Sequence, residues 1–395
     1  MTDFSATRRA FRLPDGITYL DGNSLGPMPV AAADRVAGMM ADEWSQMLIT
    51  GWNKAGWYVQ PRKVGDRIAR LIGAGPGQVV MGDTLSIKVF QALSAALRLR
   101  PDRRVILSDS GNFPSDLYVA QGLARAVGAE LRVVAPEEVG AAIAPDLAVL
   151  MLTEVDYRTG RRHDMAALTA RAHDAGALAL WDLAHSAGAV DVDLTGADAD
   201  FAVGCTYKYL NGGPGAPAFV WTHPRHADAA QPILQGWMGH DAPFAFDLDY
   251  RPASGIERMR VGTPPVIALT ALDVALDVWD GVDLSDLRAR SIALTEAFIA
   301  GVEAECPDVV LNSPRDPQRR GSQVGFRHPQ AYAVMQALIA AGVVGDFRAP
   351  DVLRFGFAPL YNDLDDVERA VATLARLLRD GSWDQEKFRQ KATVT

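Results

Sequence analysis

Carbonyl chemistry at an amine centre needs a lysine, and this chain has few of them. Of its 39 basic residues only six are lysines (Lys54, Lys63, Lys88, Lys208, Lys387 and Lys391), with one between Lys88 and Lys387. Arginine cannot form a Schiff base, so any such amine comes from this short set. Lys208 lies in VGCTYKYLNGGPG, after an apolar run and before a glycine-rich bend. Burial there would favour a neutral, nucleophilic amine, although a surface loop offers a blander home. Asp182 closes the apolar run LALWD, and a buried carboxylate needs a partner. A protonated pyridine nitrogen, as in pyridoxal phosphate, is one such partner; a helix cap or a metal shared with His185 are others. The D-x-x-H spacing alone is a weak metal signal, and no third ligand stands out. His185 either meets a cofactor ring or serves as a satisfied structural histidine.

Two further segments could complete such a site. GDTLSIKVF at 82–90 places Thr84 and Ser86 at the opening of an expected helix, where backbone N–H groups and hydroxyls can hold a phosphate. The same pattern also makes an ordinary N-cap. GNFPSD at 111–116 sets Phe113 near Asp116, so an aromatic face could cover a flat ring or simply pack. No Walker or G-x-G-x-x-G pattern is present, which argues against nucleotide phosphate chemistry.

The elements on either side of these residues must position them. Apolar strands are expected at 104–108, 131–135, 146–152, 177–182, 200–204 and 216–221, with helices between them. One helix opens near residue 84, one near Ser115, and one is capped by Asp164. Fully apolar strands separated by helices indicate a mostly parallel sheet covered on both faces, an α/β fold. In such sheets ligands sit beyond the carboxyl ends of the strands, where Asp116, Asp182 and Lys208 would all fall. Prolines around 252–265 mark a boundary, followed by one long helix near 266–300 and a smaller α/β domain. That domain has strands near 322–327 and 352–357 and helices near 331–342 and 363–379. The expected division is an N-terminal segment 1–50 associated with the small domain, a large domain 51–265, a small domain 266–380 and a polar tail 381–395.

The bulk composition is that of a globular enzyme: 395 residues, 49% hydrophobic, 22% charged, net charge -9. No basic block or zinc-finger spacing recommends a nucleic-acid partner. The opening residues lack the apolar run of a signal peptide, and no stretch approaches the roughly 20 residues that cross a bilayer. Cys205 and Cys306 do not make a disulfide framework, so a cytoplasmic protein with free thiols is expected.

The segments LDGNSLGPMP, GWNKAGWYVQPRKVGDRIARLIGA, GDTLSIKVFQALSAAL, SGNFPSDLYVAQGL, VDYRTGRRHDM, LWDLAHSAGAV, GCTYKYLNGGPG, QGWMGH, RMRVGTPPV and RFGFAPLYN follow one another along most of the chain. In this pattern the chain resembles the kynureninases, which belong to the fold type I (aspartate aminotransferase-like) pyridoxal phosphate enzymes. The resemblance implies a mostly parallel seven-stranded sheet between helices, plus a smaller α/β domain. It implies hydrolytic Cβ–Cγ cleavage of L-kynurenine to anthranilate and L-alanine, with 3-hydroxykynurenine as a further substrate, in tryptophan breakdown. It also implies a homodimer with sites near the interface.

Carried over residue by residue, the resemblance makes Lys208 the covalent holder of pyridoxal phosphate and Asp182 the partner of its ring nitrogen. Leu85, Ser86, Tyr207 and Trp237 would bind the phosphate, and Phe113 would stack on the ring. Asp116 would contact the cofactor near its reacting face, and Thr153 and His185 would line the same pocket. Thr263 would lie near the phosphate or substrate, and Arg354 would grip the substrate α-carboxylate bidentately. Tyr207 would relay protons together with Lys208, and the aromatic group of Trp52, Trp57 and Tyr58 would offer an aryl pocket. A cysteine desulfurase or an aminotransferase would share the cofactor site, the former needing a mobile nucleophilic cysteine. A non-catalytic α/β binding protein would keep the fold without needing the amine.

Overall fold

The computed structural model describes residues 1–391. Its centre is a seven-stranded sheet in the order Val79–Met81, Phe219–Thr222, Phe201–Gly204, Leu178–Asp182, Leu147–Thr153, Val105–Asp109, Glu130–Val134. Phe219–Thr222 runs antiparallel to both neighbours, and the remaining pairs are parallel. Valine, leucine and phenylalanine fill the inner strands because helices cover both faces. Helices Leu85–Arg98 and Pro114–Val127 pack on one face, over Val80, Ile106, Val149, Leu180 and Val203. Helices Gln60–Ala69, Met165–Asp174 and Val266–Ala275 cover the other, over Val79, Leu107, Leu150, Trp181 and Ala202. The outermost strand is polar instead: Arg132 pairs with Glu130 at 3.1 Å and Asp146 at 3.0 Å, which suits an unpaired edge.

The small domain is a four-stranded antiparallel sheet, Asp346–Arg348, Val352–Gly356, Gln323–Arg327 and Val310–Leu311. Helices Leu284–Glu305, Ala331–Ala340 and Leu364–Asp380 pack on it around Phe298, Phe326, Phe355 and Phe357. Two expectations need correcting. The single long helix near 266–300 is two: Val266–Ala275 winds on through a 3₁₀ turn to Trp279, and Leu284–Glu305 starts afresh. Gly281 lies in the break, and the Asp283 side chain accepts the Ser285 and Asp286 N–H groups to restart the helix. The strand Val79–Met81 is new; three residues are too few to show a period.

The N-terminal segment is tied to small-domain residues. Thr18–Tyr19 pairs with Val343–Val344, Thr7 donates to the Leu360 carbonyl, and Arg8 pairs with Asp366 at 2.7 Å. Past the Gly381 cap the chain turns back: Trp383 and Phe388 pack against the small-domain core. The last part of the tail expectation, 392–395, lies outside the described residues.

Candidate active site

The parallel strands end together, so their C-terminal residues share one edge. Thr153 and Asp182 are register partners there, and the loop after Phe201–Gly204 brings Lys208 to the same edge. That loop is held by Gly212 N–H to the Thr206 carbonyl at 2.8 Å and Gly26 N–H to the Tyr207 carbonyl at 2.8 Å. Gly26 has to be glycine: a Cβ would stand 2.4 Å from the Lys208 carbonyl oxygen. Pro114 starts a helix that carries Asp116 in its first turn, over the same edge.

These placements converge. Lys208 Nζ lies 3.1 Å from His185 Nε2, 5.9 Å from the Phe113 ring centre and 5.8 Å from that of Tyr207. Phe113 keeps 39% exposure and meets Tyr157 edge-on at 5.2 Å, leaving a ring face open. Asp116 and Asp182 are buried side by side, and burial pushes both carboxyls up. The charge of Asp182 raises Asp116 further, whereas Lys208 and the Ala184 N–H at 2.9 Å favour ionised Asp182. The shared proton therefore rests on Asp116. Burial and then the Lys208 charge hold His185 well below its ordinary pKa, so it faces the amine as a neutral acceptor. Cys205 and burial raise the Tyr207 phenol, which keeps its proton at neutral pH. Thr84 precedes the helix Leu85–Arg98 without capping it, and Ser86 Oγ lies 2.9 Å from Ser115 Oγ, which joins two helix starts.

A kynureninase from Pseudomonas fluorescens is 51% identical over 98% of this chain and 95% of its own length. One from Burkholderia pseudomallei is 51% identical with the same coverage. The family described as Kynureninase C-terminal domain matches residues 287–374. The chain belongs to the kynureninase family. Among solved structures, a cysteine desulfurase from Thermococcus onnurineus NA1 superposes with a TM-score of 0.80 at 18% identity, covering 96% of this chain and 99% of that one. A cysteine desulfurase from Escherichia coli gives 0.77 at 21%, with 96% and 99% covered. The architecture is fold type I, shared between this kynureninase family and the desulfurases.

Other residues that the kynureninase resemblance singled out sort into two groups. Arg354 is buried in the strand Val352–Gly356 and donates to Asp346, Ser24 and the Tyr157 carbonyl. Its charge also acts on His185, which places it beside the lysine cluster. Trp57, Trp237 and Thr263 share no hydrogen bond or ring contact with that cluster among the described residues. Trp57 donates to Glu43 Oε2 at 2.9 Å and packs edge-on against Trp52. Trp237 is 41% exposed against Phe244, and Thr263 lines a small cleft with Asp83 and Arg260. Sequence reasoning passed over Tyr157, Ser24 and Asp346; Ser24 lay inside the quoted LDGNSLGPMP, but nothing in that segment pointed to Arg354.

Proposed function

We propose that this chain hydrolyses L-kynurenine to anthranilate and L-alanine, using pyridoxal phosphate held by Lys208. The observation that carries the reading is the meeting of a lysine amine and a buried carboxylate pair at one sheet edge, with a small-domain guanidinium acting on the same histidine, in a chain half identical to kynureninases. The residues fit the cofactor. Asp116 Oδ2 is buried with no hydrogen-bond partner, and the helix opened by Thr84 has a free first turn that can receive a phosphate. Leu85, Ser86 and Tyr207 would hold the phosphate, Asp182 the ring nitrogen and Phe113 one ring face, with Thr153 and His185 lining the pocket. Bound there, pyridoxal phosphate supplies the electron sink for the pair released when Cα loses its proton.

The remaining work falls to the chain's own groups. Arg354 orients the substrate by its α-carboxylate, and Lys208 takes the Cα proton, with its amine held 3.1 Å from a neutral His185. Water adds its hydroxyl to the γ-carbonyl carbon, the Cβ–Cγ bond breaks, and anthranilate leaves. Cβ then gains a proton, which Tyr207 is suited to deliver because its phenol stays protonated. The proton left over from the water restores Tyr207, Lys208 returns its proton to Cα, and one water is consumed for each anthranilate and alanine formed. We further read the protein as a cytoplasmic homodimer in which Trp57, Trp237 and Thr263 serve the partner's site, and which also accepts 3-hydroxykynurenine. The exposed Phe244, Phe246 and Leu248 support a dimer face on this side.

A desulfurase reading is disfavoured by Cys205 and Cys306, which are 3% and 1% exposed. The test is to load the protein with pyridoxal phosphate, supply L-kynurenine, and follow anthranilate fluorescence with alanine quantified in parallel. Equimolar products are expected; a yellow protein that releases neither would overturn the hydrolase reading and leave the fold intact.

A further inference from the structure

A site that reads an anionic carboxylate is an odd place to bury carboxylates, yet two stand beside Arg354. Asp346 is its cross-strand register partner, and both side chains are almost fully buried. Arg354 Nε donates to Asp346 Oδ1 at 2.7 Å while Nη2 reaches Oδ2, so one two-donor edge of the guanidinium is fully engaged. Arg348, two residues along the same strand and thus on the same face, donates to Asp346 Oδ2 at 2.6 Å. Ser24 Oγ donates to that oxygen at 2.8 Å and accepts from Arg354 Nη2 at 2.8 Å. Nη1 is steadied by the Tyr157 carbonyl. Burial raises the Asp346 carboxyl, but the Arg354 and Arg348 charges outweigh it and keep it ionised.

The charge count is informative. Two guanidiniums face one ionised carboxylate, Asp346. The other, Asp21, is pushed up to about 7 by burial and by the charge of Asp346, so it is largely neutral in mildly acidic solution. Tyr19, Tyr209 and Tyr361, which also face this group, are all raised and stay uncharged, and His185 is neutral. Below about pH 7 one positive charge is therefore left without an ionised partner, and the charge of Arg354 reaches His185. We propose that Asp346 is a positioning residue for the substrate α-carboxylate: it clamps one edge of Arg354 and, with Ser24 and the Tyr157 carbonyl holding two further N–H groups, leaves one Nη1 N–H to meet the ligand. The inference rests on the reading of Arg354 as the carboxylate-binding residue.

Asp346→Asn keeps the shape and removes the charge. In cofactor-loaded enzyme its KM for L-kynurenine should rise roughly tenfold to a hundredfold, with kcat changed far less and the visible cofactor band unmoved. The amine analogue that lacks the α-carboxylate should inhibit wild type and Asp346→Asn equally. Ser24→Ala, a milder change in a turn, should raise KM in the same direction by less, and it decides the matter if Asp346→Asn does not fold. Unchanged KM in the folded variant, or an equal loss of affinity for the carboxylate-free amine, would overturn the proposal. Arg354→Lys separates the two layers. If it leaves KM alone, the reading of Arg354 fails; if it alone raises KM, only the role of Asp346 and Ser24 fails.

Discussion

Asp182 and Asp200 occupy opposite ends of the same two neighbouring strands, and they do opposite things with a buried negative charge. Asp200 precedes the strand Phe201–Gly204 and is 1% exposed; Asp182 ends the strand Leu178–Asp182 and is 4% exposed. Asp200 accepts from the Ala179 N–H at 2.8 Å, His173 at 2.8 Å, His226 at 2.7 Å and Arg225 at 2.7 Å. Burial would raise its carboxyl, but these donors together hold it far below the usual range. Asp182 has the Ala184 N–H, the Lys208 charge and a neighbouring carboxyl, and burial wins, at about 6. A carboxylate served on every side is a fastener that joins helix, loop and strand. One left short of donors is waiting for a ligand.

Breaking each in turn tests that contrast. Asp182→Asn should have the largest effect, cutting anthranilate turnover by about two orders of magnitude with little loss of thermal stability. Asp200→Asn should do the reverse, keeping turnover in folded protein while losing about 3 kcal/mol in denaturant titration. If Asp200→Asn loses turnover while fully folded, the division between fastener and reacting group is wrong. Because the folded-state pKa of Asp200 is depressed, its contribution is present above the ordinary carboxylate value of about 4 and is lost as pH falls through the folded value. Acid unfolding of wild type should therefore be steeper than that of Asp200→Asn.

The smallest effect sharpens the fastener side. His173 is raised, chiefly by its hydrogen bond to Asp200, so its contribution is present below about 6.5 and is lost as pH rises through the folded value. With its side chain 27% exposed, this amounts to less than about 1 kcal/mol. The melting temperature of His173→Gln should fall further below wild type at about pH 5.5 than at about pH 9. An equal gap at both would place its stabilisation in packing instead.

Much of the sheet edge where Asp182 and Lys208 meet was legible in the sequence. An apolar run that ends in a carboxylate reads as a buried strand with a charged tip, and that is where Asp182 sits. Lys208 after its strand and Phe113 before its helix follow from the same local reasoning. The Arg354 network was not legible, because Ser24 lies 330 residues away in sequence and Tyr157 lies 197 away. How Trp57 is held was not legible either: its ring packs over Gly51 and its N–H is bound to Glu43.

What the sequence determined by itself is whatever depends on near neighbours along the chain: strand and helix periods, caps such as Asp164 and Asp283, and the scarcity of lysine. Tertiary structure alone decided which buried charges were paired. Whether Asp200 became a fastener and Asp182 an open carboxylate turned on donors from other elements, and no local pattern carries that information. Burial makes an ion costly, and only the packed chain shows whether a partner has been brought to it.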